Sequence, residues 1–192
     1  MTEPCARNRA VIDIETTGLK PEQHQILELT LIITDPKSTI ELGGYHAFVH
    51  YDHPAHLWQE ADEYVKKMHT ENGLWAEHAQ ACAEGRAKSL TQIGSEFAAC
   101  VRHFCGPDPK VLPLGCNVEA LDVPFLRYWL PEAASVLHYR SINVSSLREI
   151  VRDELGVEFE KEVKPHRSTQ DCRDAIELYH KCLEALRFEK CK

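Results

Sequence analysis

Long apolar runs are missing from this 192-residue chain, so no segment reads as a membrane-spanning helix. The opening residues, Met1-Thr2-Glu3-Pro4-Cys5-Ala6-Arg7, lack the charged-then-apolar layout of a secretory leader. Pairs of the C-x-x-C type are absent too, and the eight cysteines are scattered, which argues against a disulfide framework. Cys100, Cys172 and Cys182 fall at apolar helical positions, so reduced core thiols and a cytoplasmic location are expected. Positive charge is in short supply: 22 basic residues face 30 acidic ones, for a net charge of −8. That balance argues against a tight, sequence-independent grip on long nucleic acid, which needs many phosphate-neutralising cations. It leaves room for a short nucleic-acid substrate held by metal ions and a few local contacts. Repeats, low-complexity tracts and linkers are also lacking. The length therefore implies one domain, residues 1–192 with its core at 9–186, large enough to bury a hydrophobic interior.

What is present is a regular alternation of apolar segments and breakers. Residues 9–15 read as a strand, residues 25–34 as a second closed by Asp35-Pro36, and residues 44–50 as a third, giving an antiparallel N-terminal meander. Residues 59–69, 72–84 and 89–105 have helical spacing. In the last, Ile93, Phe97, Val101 and Phe104 form an apolar stripe that would pack on the sheet, and Gly106-Pro107-Asp108-Pro109 breaks it. Residues 111–115 read as a buried strand. A helix from Pro124 to Leu130 is stopped by Pro131, residues 140–144 form a short strand, and helices follow over 145–155 and from Ser168 to Leu186. Strands first, then alternating helices and strands, predict an α/β fold with a mixed sheet.

The chemistry begins in Val11-Ile12-Asp13-Ile14-Glu15-Thr16-Thr17-Gly18-Leu19. Asp13 and Glu15 are two apart on a strand, so their carboxylates share a face. Close like charges raise each other's pKa unless something positive sits between them, and oxygen ligands suit Mg²⁺ or Mn²⁺. A solvated polar face on an edge strand would look the same, and the pair alone leaves both readings open. Asp122 precedes Val123-Pro124, which puts it at a helix start, where a plain capping aspartate is equally common. His166 lies on a loop expected to be free to move. Ser168 or Thr169 would cap the last helix, and Asp171 would fall in its first turn. A loop histidine beside a reactive water has the right pKa for a general base. His46, His50, His53 and His56 are close together but straddle a strand end and Pro54, so they read as surface histidines rather than a zinc site.

Taken together, the order is a strand Asp-x-Glu, a helix-start Asp and a His-x4-Asp. This resembles the DEDDh branch of the 3′–5′ exonuclease superfamily over roughly residues 10–185. The resemblance implies an RNase H-like fold: a mixed five-stranded sheet with an antiparallel N-terminal meander, flanked by helices. It implies two Mg²⁺ or Mn²⁺ ions held by Asp13, Glu15, Asp122 and Asp171, with His166 as the base. Within the superfamily the chain is most similar to the oligoribonuclease subgroup. The segments that carry this are Asp13–Leu19, His69-Thr70-Glu71-Asn72-Gly73-Leu74 and Leu137-His138-Tyr139-Arg140-Ser141-Ile142-Asn143-Val144-Ser145-Ser146-Leu147.

That subgroup implies a cap on the 5′ phosphate of a very short substrate by Arg140, Ser145 and His69. It also implies a wedge against the bases by Leu19 and Tyr64, a seat for the terminal nucleotide around Thr16 and Thr17, and a homodimer. The chain departs from the pattern at four places. Tyr64 stands for Trp, Val118 for a phosphate-binding Ser, Asn143 for Asp, and Gln170 for an acid. An aromatic at 64 still stacks, but the lost hydroxyl at 118 bears on substrate length. The expected function is a two-metal exonuclease releasing 5′-mononucleotides from short single-stranded RNA. A broader DNA or RNA trimming exonuclease is the alternative. A catalytically inactive binding module is disfavoured because all five chemical residues are present.

Overall fold

A computed structural model of the chain describes residues 7–159 and 166–188. The reading of Met1–Ala6, and two of the eight cysteines, Cys5 and Cys191, fall outside them. Five strands, β1 (Arg9–Thr16), β2 (Ile26–Thr34), β3 (Glu41–Phe48), β4 (Leu112–Gly115) and β5 (Ile142–Asn143), form one sheet in the order β3-β2-β1-β4-β5. The first three run antiparallel, while β4 is parallel to β1 and β5 to β4, so the sheet is mixed as expected. The helices are α1 (Pro54–Glu60), α2 (Glu63–Glu71), α3 (Leu74–Ala83), α4 (Leu90–Cys105), α5 (Asp122–Trp129), α6 (Pro131–Ser135), α7 (Val144–Leu155) and α8 (Ser168–Phe188). Among the described residues no helix is long and apolar enough to cross a membrane.

The sheet is covered on both faces, and the strand alternation decides which residues meet which cover. Ala10, Ile12 and Ile14 of β1 join Leu29, Leu31 and Ile33 of β2 in a core with Ile93, Phe97 and Val101 of α4. These α4 residues recur every four positions and are fully buried, and each contributes about 1.5–3 kcal/mol of burial. Ser89 caps that helix by accepting from Gln92 N–H at 3.2 Å. On the other face, Val11 and Ile32 pack with Leu114 against Cys172, Ala175 and Tyr179 of α8. Asp13 and Glu15 share Val11's face, and α8 begins over them. Every residue of β2 is buried, which leaves Glu28 as a carboxylate inside a doubly covered strand.

The structure differs from the sequence reading in detail. The helix expected over 59–69 is two helices, broken at Ala61 and Asp62, because Ala61 is extended and Asp62 N–H donates to Thr17 O at 3.0 Å. Pro131 stops α5 but also opens α6, where a proline at the first position costs no hydrogen bond. β3 starts at Glu41 rather than 44, since Gly43 and Gly44 remain in register with Ile33 and Ile32. Gly44 lies so close over Leu31 O that a β-carbon would collide with it.

Candidate active site

The sequence brings its acids to one end of β1. Carboxylate oxygens of Asp13, Glu15 and Asp171 lie within 4.8 Å of one another. Asp13 and Glu15 come from β1, opposite Thr30 and Glu28 in the register, and Asp171 comes from the first turn of α8. Asp122 approaches from the start of α5. It is the first residue of that helix rather than its cap, and its Oδ1 accepts from Ile14 N–H at 2.9 Å. That bond crosses from helix to strand and ties Asp122 to the peptide between Asp13 and Glu15.

These acids are poorly solvated and close together. Burial, then the charges of Asp171, Glu28 and Asp122, push the Glu15 carboxyl up to about 9, with Arg167 opposing them. Burial pushes Asp122 up to about 8 against the bonds from Ile14 N–H and its own N–H. The donors are all carboxylate oxygens, hard ligands suited to Mg²⁺ or Mn²⁺. A cation among them would relieve both the repulsion and the desolvation, so the residues present fit a divalent metal. Asp122 and His166 stand outside the tightest oxygen cluster.

His166 is pinned rather than free. Its backbone has φ of 49°, the left-handed region unusual for a side-chain-bearing residue, and its carbonyl accepts from Asn72 Nδ2 at 2.8 Å. Next to it, Arg167 reaches two acids on different elements. Its Nη2 lies 3.1 Å from Glu28 Oε1, and its Nη1 lies 2.7 Å from Glu77 Oε2 on α3. Glu28 also accepts from His46 Nε2 at 2.8 Å and from Ser168 N–H at 3.2 Å. Burial raises the Glu28 carboxyl, but the bonds from His46 and Arg167, the guanidinium charge and Ser168 N–H overcome it and hold it at about 2. Ser168 and Thr169, expected to cap α8, instead turn both hydroxyls to Thr30 Oγ1 at 2.7 and 2.9 Å.

The other expected site residues occupy several settings. Leu19 and Tyr64 are exposed, at 70% and 73%, available to a base. Thr16 is buried, its hydroxyl donating to Gly18 O at 2.7 Å, and Thr17 Oγ1 accepts from Gln25 N–H at 2.9 Å. Gly18 lies close against the His24 ring and the Asp62 carboxylate, so a β-carbon there would have to displace them, and Asp62 N–H, donating to Thr17 O, holds this turn at the start of α2. His69, expected at a phosphate, has no exposed surface. Its Nε2–H donates to Thr16 O at 3.1 Å, and burial pushes its pKa down to about 4, so it braces the strand end as a neutral ring. Arg140 is exposed, its guanidinium 5.2 Å over the Tyr139 ring, and Ser145 sits in the first turn of α7.

Of the four departures, Val118 is fully buried, so nothing polar is offered there. Asn143 caps α7, accepting from Ser145 N–H at 3.0 Å, and Gln170 donates outward to Asp174 at 2.7 Å. The four clustered histidines are exposed and form no metal set among the described residues, though His46 has the specific role of bonding Glu28.

Sequence reasoning missed Glu28, Asn72 and Arg167. Glu28 carried a usable signal: it is the charged residue inside Ile26-Leu27-Glu28-Leu29-Thr30-Leu31-Ile32-Ile33, and a buried charge must be paired.

Comparison with known proteins decides the family. The profile of the exonuclease family matches residues 10–179. The oligoribonuclease of Legionella pneumophila (strain Corby) is 34% identical over 174 residues, 88% of this chain and 87% of that one. The chain belongs to the exonuclease family, in its oligoribonuclease group. The mitochondrial oligoribonuclease of Bos taurus is 30% identical over 91% of this chain and 71% of its own length. That of Corynebacterium diphtheriae is 36% identical, and there the chain spans 63% of the relative's length. Among solved structures, E. coli exonuclease I in complex with a 5cy-dT13 oligonucleotide superposes with a TM-score of 0.62 at 14% identity. The match covers 90% of this chain and 39% of that one. The exonuclease I of Methylocaldum szegediense gives a TM-score of 0.63 at 13% identity over the same shares. At such identity the likeness concerns the fold, and the mixed sheet of this exonuclease-family chain is accordingly RNase H-like.

Proposed function

We propose that this chain is a 3′–5′ exonuclease, a single catalytic domain that hydrolyses short RNA to 5′-mononucleotides. The observation that carries the reading is the convergence of Asp13, Glu15 and Asp171 oxygens within 4.8 Å, with Asp122 bonded to the strand between the first two. Asp13, Glu15, Asp122 and Asp171 would hold two divalent ions, Mg²⁺ or Mn²⁺. Such ions, when bound, acidify water and offset the charge that builds on the phosphate and the leaving oxygen. His166 takes the proton from the attacking water as general base. The bond to the 3′ oxygen of the next nucleotide breaks, and the freed nucleotide carries the phosphate at its 5′ position. Leu19 and Tyr64 stack against bases, Thr16 and Thr17 shape the turn that seats the last nucleotide, and Arg140 with Ser145 meets the 5′ phosphate. His69 takes part through Thr16, whose carbonyl it holds.

A length series of 5′-labelled RNA and DNA, run with Mg²⁺ and with Mn²⁺, tests this. Ladders shortening from the 3′ end, fastest for RNA of two to about five nucleotides and abolished by EDTA, are expected. No hydrolysis of any substrate with either metal would overturn the reading. A second reading, broader trimming of longer DNA or RNA, is favoured by Val118, whose buried side chain offers no hydroxyl to a phosphate. Equal rates on dinucleotide and on longer strands would select it. The homodimer implied by the oligoribonuclease resemblance is part of the proposal, and a single-chain mass by light scattering would remove it. A cytoplasmic location is supported by Cys82, Cys100, Cys105, Cys116, Cys172 and Cys182, which form no disulfide among the described residues.

A further inference from the structure

The contacts around residues 166–168 are unusually convergent for a loop. Asn72, at the end of α2, holds the His166 carbonyl. Glu28, on β2, receives Arg167 and Ser168 N–H from the next two residues. Glu77, on α3, receives the other arm of the Arg167 guanidinium at 2.7 Å. Arg167 O in turn accepts from Asp171 N–H at 2.9 Å, so the same residue opens the first turn that carries Asp171. Between these anchors, His166 is held with φ of 49°. A left-handed histidine persists only where its surroundings over-determine it.

We infer that Arg167 is a positioning residue: by bridging Glu28 and Glu77 it fixes the His166 backbone, and with it the imidazole, relative to the helix turn that carries Asp171. The inference rests on the reading of His166 as the base. The Arg167 side chain is 26% exposed, Glu28 is 2% exposed and Glu77 is 43% exposed, so the bridge runs from the interior to the surface. The planar guanidinium is suited to this because it engages two acids at once, which an ammonium on a flexible stem does poorly. Without the bridge the loop keeps the Asn72 bond and the Ser168 N–H bond to Glu28 but loses both guanidinium contacts. His166 then samples other backbone states, and a proton acceptor displaced by about 1 Å costs up to about 100-fold in rate.

The test compares the full chain with Arg167→Ala, Arg167→Lys, Glu77→Ala, His166→Ala and the double variant His166→Ala/Arg167→Ala. Each is assayed for kcat and KM on a labelled dinucleotide, for Mn²⁺ binding by calorimetry, and for melting temperature. Arg167→Ala should lower kcat about 10- to 100-fold with KM and Mn²⁺ affinity within about twofold. Arg167→Lys and Glu77→Ala, each leaving part of the bridge, should lose about three- to tenfold. In the His166→Ala background, removal of Arg167 should cost nothing further, because it acts through that histidine.

Unchanged kcat in folded Arg167→Ala overturns the inference, as does a full additional loss in the double variant. A loss matched by weaker Mn²⁺ binding also overturns it, assigning Arg167 to the metal site instead. If Arg167→Ala does not fold, Glu77→Ala, altered at the surface, decides in its place, and unchanged kcat there is fatal. Full activity in His166→Ala would instead refute the base assignment.

Discussion

Glu15 and Glu28 face each other across the register of β1 and β2, both buried, and the protein treats them in opposite ways. Glu28 is surrounded by donors: a guanidinium, an imidazole and a backbone N–H bring its carboxyl down to about 2. Glu15 is surrounded by acids, and burial with their charge raises its carboxyl to about 9. Desolvation is common to both, so it does not distinguish them. What differs is whether the fold supplies the positive partner itself. Glu28 is a finished ion pair that holds two elements together. Glu15 is an unfinished one, whose missing partner has to come from outside, and that is what a metal site looks like from its residues.

The comparison breaks most sharply under substitution. Asp13→Asn or Glu15→Gln should cost activity by about 10³-fold or more, because each removes a metal ligand. Glu15→Gln should also raise the melting temperature of metal-stripped protein at alkaline pH, about 2–4 °C per kcal/mol at this chain length, since it removes a buried carboxyl whose ionisation burial and the neighbouring acids oppose. Glu28→Ala should do the reverse to stability. It leaves His46, Ser168 N–H and one arm of Arg167 without their acceptor, while the other arm keeps Glu77, for a loss of about 1–3 kcal/mol. Thermal melts in EDTA check both. A Glu15→Gln protein that melts lower than the unaltered chain would show that Glu15 is stabilising and that the contrast is false.

Stability against pH should show the same opposition more mildly. Glu28 has a folded pKa of about 2, below the ordinary value of 4.5, so its contribution is complete above pH 4.5 and is lost as pH falls toward 2. Glu15 has a folded pKa of about 9, above the same ordinary value, so the folded chain holds a proton that the unfolded chain gives up. Its contribution is complete below pH 4.5 and is lost as pH rises toward 9. Metal-stripped protein should therefore be most stable near pH 5 and weaken by about 1–3 kcal/mol at pH 8. Saturating Mn²⁺ should remove the alkaline loss, because ions bind the ionised folded site. Urea midpoints at pH 3.5, 5 and 8, with EDTA and with Mn²⁺, measure this. Equal gains from Mn²⁺ at pH 5 and pH 8 would mean that the acids are already ionised without it.

These contrasts explain what the sequence made legible. Asp13 and Glu15 were readable because a strand's period of two leaves no choice of face, and the meander followed from apolar runs and their breakers. The core stripe of α4 was readable for the same reason at a period near four. The approach of Asp122 to Ile14 N–H, at a separation of 108 residues, has no local signal. The grip on His166 was equally hidden: its three anchors, Asn72, Glu28 and Glu77, are spread over β2, α2 and α3. The break between α1 and α2 was missed because it is set by Thr17 O, a backbone atom on a distant turn, while the local sequence keeps helical spacing.

The smallest expected effect separates the charge of Glu28 from the loop that Glu28 holds. His46 and Arg167 both bond Glu28 Oε1, but His46 comes from the sheet's edge strand and touches neither His166 nor Asp171 through its bonds. His46→Ala should cost about 0.5–1.5 kcal/mol, the net worth of one hydrogen bond, with kcat changed less than about twofold. Glu28 keeps Arg167 and Ser168 N–H in that variant and stays ionised at neutral pH. Denaturant midpoints and turnover of a dinucleotide, measured on one preparation, read both quantities. If kcat instead falls as far as in Arg167→Ala, the balance of charge at Glu28 governs the site. Stability lost without activity leaves the geometry of the Arg167 bridge as the link between Glu28 and the chemistry.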